Sequence, residues 1–293
     1  MQPSHLTDLT PARRRLRRFR VPVLIVALLA VLVATRAINV LADGSAFLAL
    51  PVGLATAAAA LGVYHWLSRR VEARETVPEL ARTGRWRGMA RGAVLGLALF
   101  TTMMLLIAVF GGWEQVGWGS IGGFAASIGA VASIAVNEEL LFRGVVFRVL
   151  DERFGSATAV VASSLIFGLT HLTNDRATLW GTLALGIEGG TLTAACYLLS
   201  RSLWLPIGLH FAWDFAHIGI FGLPTSSSIG GTDTGLLHTT LASGPTALTG
   251  GTFGPEASLI ALALCVLAAA VVLRRAARAG HPHRRPAVRD QGQ

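Results

Sequence analysis

The chain has 293 residues, of which 53% are hydrophobic and only 14% charged, with a mean hydropathy of +0.58. Those values exclude an ordinary soluble domain. Its net charge of +9 is carried by 25 arginines and no lysine, gathered in loops and tails, so a membrane explains them and no nucleic-acid partner is expected.

Residues 1–20 are polar and end in Arg13-Arg14-Arg15-Leu16-Arg17-Arg18-Phe19-Arg20. The apolar run from Val21 to Ala42 is too long for a signal-peptide core and has no clear cleavage site after it, so it reads as a first transmembrane helix. Further spans are expected at Ala46–Ser68, Gly92–Phe110, Ile121–Phe142, Ala157–Leu172, Thr178–Leu199, Leu203–Leu223 and Ala257–Leu273. With the amino terminus inside, 23 of the 25 arginines fall in inner segments, as the positive-inside rule requires. Arg176 falls in an outer loop, and Arg36 lies within the first span. The expected fold is therefore an all-α polytopic membrane protein of about eight transmembrane helices, both termini cytoplasmic, with its candidate catalytic core on helices 4–7. Residues 1–20 and 274–293 would be basic cytoplasmic tails, and 21–273 a single transmembrane domain.

The connections carry their own expectations. Residues 69–91 mix arginines with Glu72, Glu75 and Glu79 and suggest an interfacial helix. Residues 224–256, rich in Gly, Ser, Thr and Pro, suggest a flexible outer connector. No internal repeat is visible, which weighs against an inverted-repeat transporter. Cys196 and Cys265 sit inside apolar runs and read as small core side chains. Gly92, Gly96, Gly186 and Gly190 point to close helix packing.

Few ionisable groups interrupt the apolar runs. Glu138, Glu139 and Arg143 close the fourth span; a charge deep in hydrocarbon costs roughly 2.5–3.5 kcal/mol, so such groups imply function. Glu139 and Arg143 share a helix face four residues apart, whereas Glu138 points about 100° away. His171 ends the run Phe167-Gly168-Leu169-Thr170-His171 in the fifth span, and His210 and Asp214 stand at i and i+4 in the seventh. Each needs a partner in lipid, and the nearest partners are one another, so these three spans should converge on one polar cavity. Glu188 is a candidate member of the same cluster, while His217 and His65 read as interfacial. For Glu138 and His171 to meet, the fourth helix must continue to about Glu152, and the fifth must extend beyond Leu172. Glu with His, and a second His with Asp, form an acid–base set suited to hydrolysing an amide. A proton- or ion-coupled transporter would also use midplane acids and histidines.

These motifs resemble the CPBP family (CAAX proteases and bacteriocin-processing enzymes), intramembrane endopeptidases related to Rce1. The family pattern Glu-Glu-x-x-x-Arg, Phe-x-x-x-His and His-x-x-x-Asn/Asp appears as Glu138-Glu139 to Arg143, Phe167 to His171, and His210 to Asp214. The resemblance covers about residues 120–220. It implies that Glu138 and His171 activate a water, that His210 with Asp214 stabilises the oxyanion, and that Glu139, Arg143 and Phe167 shape the site. Eukaryotic members of the family trim prenylated CAAX tails, but this arginine-only, short-looped chain looks bacterial. The expected substrate is therefore a membrane protein or lipidated peptide cut near the cytoplasmic leaflet, and the expected location is the inner (cytoplasmic) membrane. A zinc held by Glu138, His171 and His210 would satisfy ligand chemistry equally, and a non-catalytic scaffold or bacteriocin-immunity protein would keep the same fold. Where the family often has asparagine, Asp214 is expected to be ionised and to hold the His210 ring.

Overall fold

A computed structural model of the full chain describes residues 19–42, 45–224 and 235–281. Most of both expected tails, and residues 225–234 of the outer connector, lie outside the described residues. The protein is an all-α polytopic membrane protein. Among the described residues, seven helices are long and apolar enough to cross a bilayer: α1 (Arg20–Ala42), α2 (Ala46–Arg70), α3 (Arg85–Val109), α4 (Ile121–Phe154), α5 (Ser156–Thr170, closed by a 3-10 turn His171–Thr173), α6 (Leu179–Ser200) and α8 (Leu259–Arg278). Between the last two lies α7 (Trp204–Asp214), continued by a π-helical turn Phe215–Ile220. At ~1.5 Å per residue it is only about 25 Å long, short of a usual span, and its stretch from Pro206 to His210 is buried.

The fourth helix does run on past Phe142, to Phe154, whereas the fifth does not extend beyond Leu172 as a helix. It ends at Thr170, and His171 opens its closing turn. Extension is unnecessary because Gly155, at φ 84°, turns α4 directly into α5. Glu138 lies 17 residues before that corner and His171 16 after it, so an antiparallel pair brings them to one level.

Small residues let the site helices approach. A Cβ at Gly53 of α2 would strike the backbone of Gly129 on α4, and one at Gly92 or Gly96 of α3 would strike Leu205 or Leu209 of α7. Nearby, Asn39 of α1 donates to Ser133 Oγ of α4 (2.9 Å) and Thr56 Oγ1 of α2 (3.2 Å), tying three helices by polar contacts.

The segment between α2 and α3 is not an interfacial helix. It is a turn-rich strap with one 3-10 turn, Pro78–Leu80, and α3 begins earlier than expected, at Arg85. Glu72 and Glu79 point inward, while Glu75 is exposed: Arg74 grips Glu79 through two 2.6 Å bonds, Tyr64 meets Glu79 Oε1 at 2.6 Å, and Arg148 of α4 reaches Glu72 at 2.7 Å. The outer connector is likewise structured where described. Its strand β2 (Leu237–Leu241) pairs antiparallel with β1 (Trp113–Trp118), an element the all-helical reading did not anticipate.

Candidate functional site

A chain of buried contacts links the fourth, sixth and seventh helices. Arg143 Nη1 donates to Glu139 Oε1 at 2.9 Å, and the same oxygen meets His210 Nδ1 at 2.9 Å. Arg143 Nη2 donates to the Gly190 carbonyl of α6 at 3.0 Å, and the guanidinium stacks 4.8 Å from the centre of the Phe167 ring. Arg143 and Glu139 are 1% and 0% exposed, so each neutralises a charge that lipid and protein would otherwise reject. Glu139 thus fixes the His210 ring and turns Nε2 outward, where it faces Asp214 Oδ2 at 3.4 Å and Glu138 Oε2 at 3.9 Å. Asp214 thus faces the ring as the spacing suggests, at Nε2, and Glu139, which the spacing did not pair with it, takes Nδ1 at the shorter distance.

Glu138 Oε2 is buried without a hydrogen-bond partner among the described residues, so it is open to a polar ligand. His171 Nδ1 lies 2.9 Å from the Phe167 carbonyl. A carbonyl only accepts, so Nδ1 carries the proton and Nε2 is left for another contact. Phe167 itself packs between both histidines, with ring centres 4.9 Å from His171 and 6.1 Å from His210. Glu138, His171, His210 and Asp214 all line one cavity of about 500 Å3. Its other walls include Leu29, Thr35, Arg36 and Asn39 of α1, so the first helix, expected only to add topology, encloses the site.

Two π-helical turns contribute to these walls, Phe142–Phe147 in α4 and Phe215–Ile220 after α7, and a third, Gly186–Gly190 in α6, borders a smaller chamber beside them. Each extra residue per turn frees a carbonyl and re-aims side chains. The Gly190 carbonyl takes Arg143, and the Gly144 carbonyl takes Arg148 Nε at 2.9 Å.

The same cavity is lined by a second polar pair, Glu256 and His217, of which the sequence points to neither as a site residue. Glu256, in a 3-10 turn before α8, reaches into the bundle, where Oε1 accepts from Trp213 Nε1 at 2.7 Å and lies 3.6 Å from His217 Nδ1. His217 is 1% exposed and stacks on Phe100, so it is a core residue and not an interfacial one. Glu188 is also 1% exposed and lines a small chamber of about 40 Å3 with His210, Asp214 and Glu256. The sequence signal for Glu256 was slight: a lone acid flanked by Pro255 and an apolar run.

Among the described residues no group of three His, Cys, Asp or Glu side chains is set to hold a metal ion. Nδ1 is taken by Glu139 in His210 and by the Phe167 carbonyl in His171, so each ring has only Nε2 left for a further contact, the pattern a metal-ligating histidine also shows.

Acids and histidines gathered round an internal cavity in a helical membrane bundle suit an intramembrane enzyme, and serve a proton- or ion-coupled transporter equally. Residues 120–216 match the family model for Rce1-like type II CAAX prenyl endopeptidases. That segment is roughly a third of the chain and includes every candidate residue from Glu138 to Asp214. It supports an intramembrane protease of the CAAX type. Comparison with curated proteins and with solved structures finds no match.

Proposed function

We propose that the protein is an endopeptidase that cuts a membrane protein or lipidated peptide inside the bilayer, using a water activated by Glu138 and His171. The observation that carries this reading is the convergence of Glu138, His171, His210 and Asp214 on one cavity within an apolar bundle. In the proposed reaction a water lies against Glu138 and His171 Nε2. Glu138 takes its proton as the water oxygen bonds to the peptide carbonyl carbon, and the C=O electron pair moves onto the carbonyl oxygen. His210, doubly protonated in this step, keeps Nδ1–H on Glu139 and donates Nε2–H to the oxyanion. Collapse re-forms the carbonyl and breaks the C–N bond, and the proton held by Glu138 passes to the leaving nitrogen. Atoms and charge balance without a covalent intermediate. The inner membrane is the proposed location, with both termini on the cytoplasmic side.

The test is purified protein in liposomes with a fluorogenic membrane peptide. Glu138→Gln should lower turnover by at least about 100-fold, the low end for a general base, with an unchanged unfolding temperature. Undiminished cleavage by that variant would overturn the assignment. Glu138-dependent ion flux without cleavage would instead favour a transporter.

A further inference from the structure

Arg36 is the one arginine that the topology of the chain leaves unexplained inside a span, because it interrupts the apolar run of α1. A guanidinium there costs roughly 2.5–3.5 kcal/mol unless something meets its charge. Among the described residues it has no hydrogen bond and no ion pair, and it is exposed where it borders the 500 Å3 cavity. Two contacts fix its depth. Arg20 of α1 pairs with Glu152 of α4 at 3.0 Å, and Asn39 of α1 bonds Ser133 of α4 at 2.9 Å. The same antiparallel register places Arg36 level with Val136, within one turn of Glu138. Arg36 is therefore on the cavity wall at about the level of Glu138, six residues before the end of α1 at Ala42. Asn39, one turn further on, borders the same cavity, and its buried Oδ1 has no hydrogen-bond partner among the described residues.

We propose that Arg36 is a substrate-recognition residue that docks a carboxylate of the bound peptide. This rests on the endopeptidase reading above. A guanidinium offers five N–H donors in a planar fork matched to a carboxylate, and the low-dielectric cavity strengthens the pairing. The carboxylate is either the peptide's C-terminus or an acidic side chain near the cleaved bond. The occupied site would then carry an ion pair where the free site carries a lone cation, so ordering of the substrate is coupled to neutralising Arg36.

The experiment uses full-length protein in zwitterionic liposomes and three versions of one cleaved peptide: native, C-terminally amidated, and with its acidic side chains changed to amides. The expected result is a fall of about tenfold in kcat/KM on wild type for whichever change removes the docked carboxylate, and no further fall on Arg36→Gln. A charge-assisted hydrogen bond is worth that much. The amidated and side-chain peptides tell the two carboxylate sources apart. Equal falls on wild type and Arg36→Gln would overturn the proposal. So would rates on Arg36→Gln that differ from wild type only when anionic lipid is added, since Arg36 would then serve the membrane surface. Peptide binding to the Glu138→Gln variant, with and without Arg36→Gln, reads the anchor without catalysis. Carboxylate-dependent binding lost with Arg36 supports the anchor even if no cleavage occurs, and carboxylate-independent binding or none overturns it.

Discussion

Glu139 Oε1 stands 2.9 Å from both Arg143 Nη1 and His210 Nδ1, so one carboxylate oxygen joins a structural cation to a ring that faces the cavity. Adjacent glutamates thus face different ways: Glu139 is 0% exposed and its Oε1 takes two partners, while Glu138 looks into the cavity.

Arg143→Met should strip Glu139 of its counter-charge in the core. Breaking a buried pair costs roughly 3–5 kcal/mol, so thermal unfolding in detergent should fall by several degrees or more. Combining it with Glu139→Gln should recover part of that loss, because the orphaned charge is gone. A purely additive double variant would contradict the pairing.

Asp214→Asn should keep the fold and lower turnover by about 10-fold, less than loss of a whole oxyanion donor. Asp214 faces Nε2, whereas Nδ1 is already held by Glu139. Glu139→Gln should therefore be the more damaging change to the orientation of His210. Steady-state rates of the two variants on one peptide give the comparison. Full activity of Asp214→Asn would mean that the residue works as a neutral donor.

Glu79, in the strap outside the spans, should set part of the acid limit of stability. Burial pushes its carboxyl pKa up, but the hydrogen bonds from Arg74 and Tyr64, with the charge of Arg74, outweigh this and leave it below the ordinary value. A lowered folded pKa contributes stability above the unfolded value of about 4.3 and loses it as pH falls through the folded value. Glu79→Gln should thus unfold more readily at neutral pH and show a flatter decline below about pH 4 than wild type. Unfolding temperature measured from pH 3 to 7 reads both features.

Reporter fusions after Arg201 should score cytoplasmic and fusions after Ser243 external, as the arginine distribution requires. An external signal at Arg201 would invert α6 and α7 and take His210 away from Glu138.

Much of this site was legible because charge in an apolar run is costly, so Glu138, Glu139, Arg143, His210 and Asp214 stand out without a structure. The i,i+4 spacing correctly paired Glu139 with Arg143. The same rule put Asp214 beside His210, where it meets Nε2, but it left out Glu139, which an adjacent helix brings to Nδ1. Spacing along one helix says nothing about what the neighbouring helix presents. Glu256 was hidden for a similar reason: its segment reads as a polar connector, and only tertiary packing brings it to Trp213 and His217. The π-helical turns at Phe142–Phe147 and Phe215–Ile220 left no mark in composition, since an extra residue per turn changes direction without changing hydropathy, whereas the turn at Gly186–Gly190 carries three glycines that suggest a local bend. The strap carboxylates Glu72 and Glu79 looked solvated because their arginine partners lie in other segments or across a turn.

The corner at Gly155 makes chain length itself a catalytic parameter. One residue inserted between Glu138 and Gly155 would swing the carboxylate by about 100° and shift it by ~1.5 Å, while His171 stayed in place on the other arm. The two arms are gauged from a common origin, like the jaws of a caliper. Evolution can lengthen or trim the connection between α5 and α6 freely, but an insertion within either arm must be matched in the other or absorbed by a change in helical pitch. The π-turn at Phe142–Phe147 lies inside one of those arms, where a single extra residue in the winding sets how Glu138 is rotated relative to the corner.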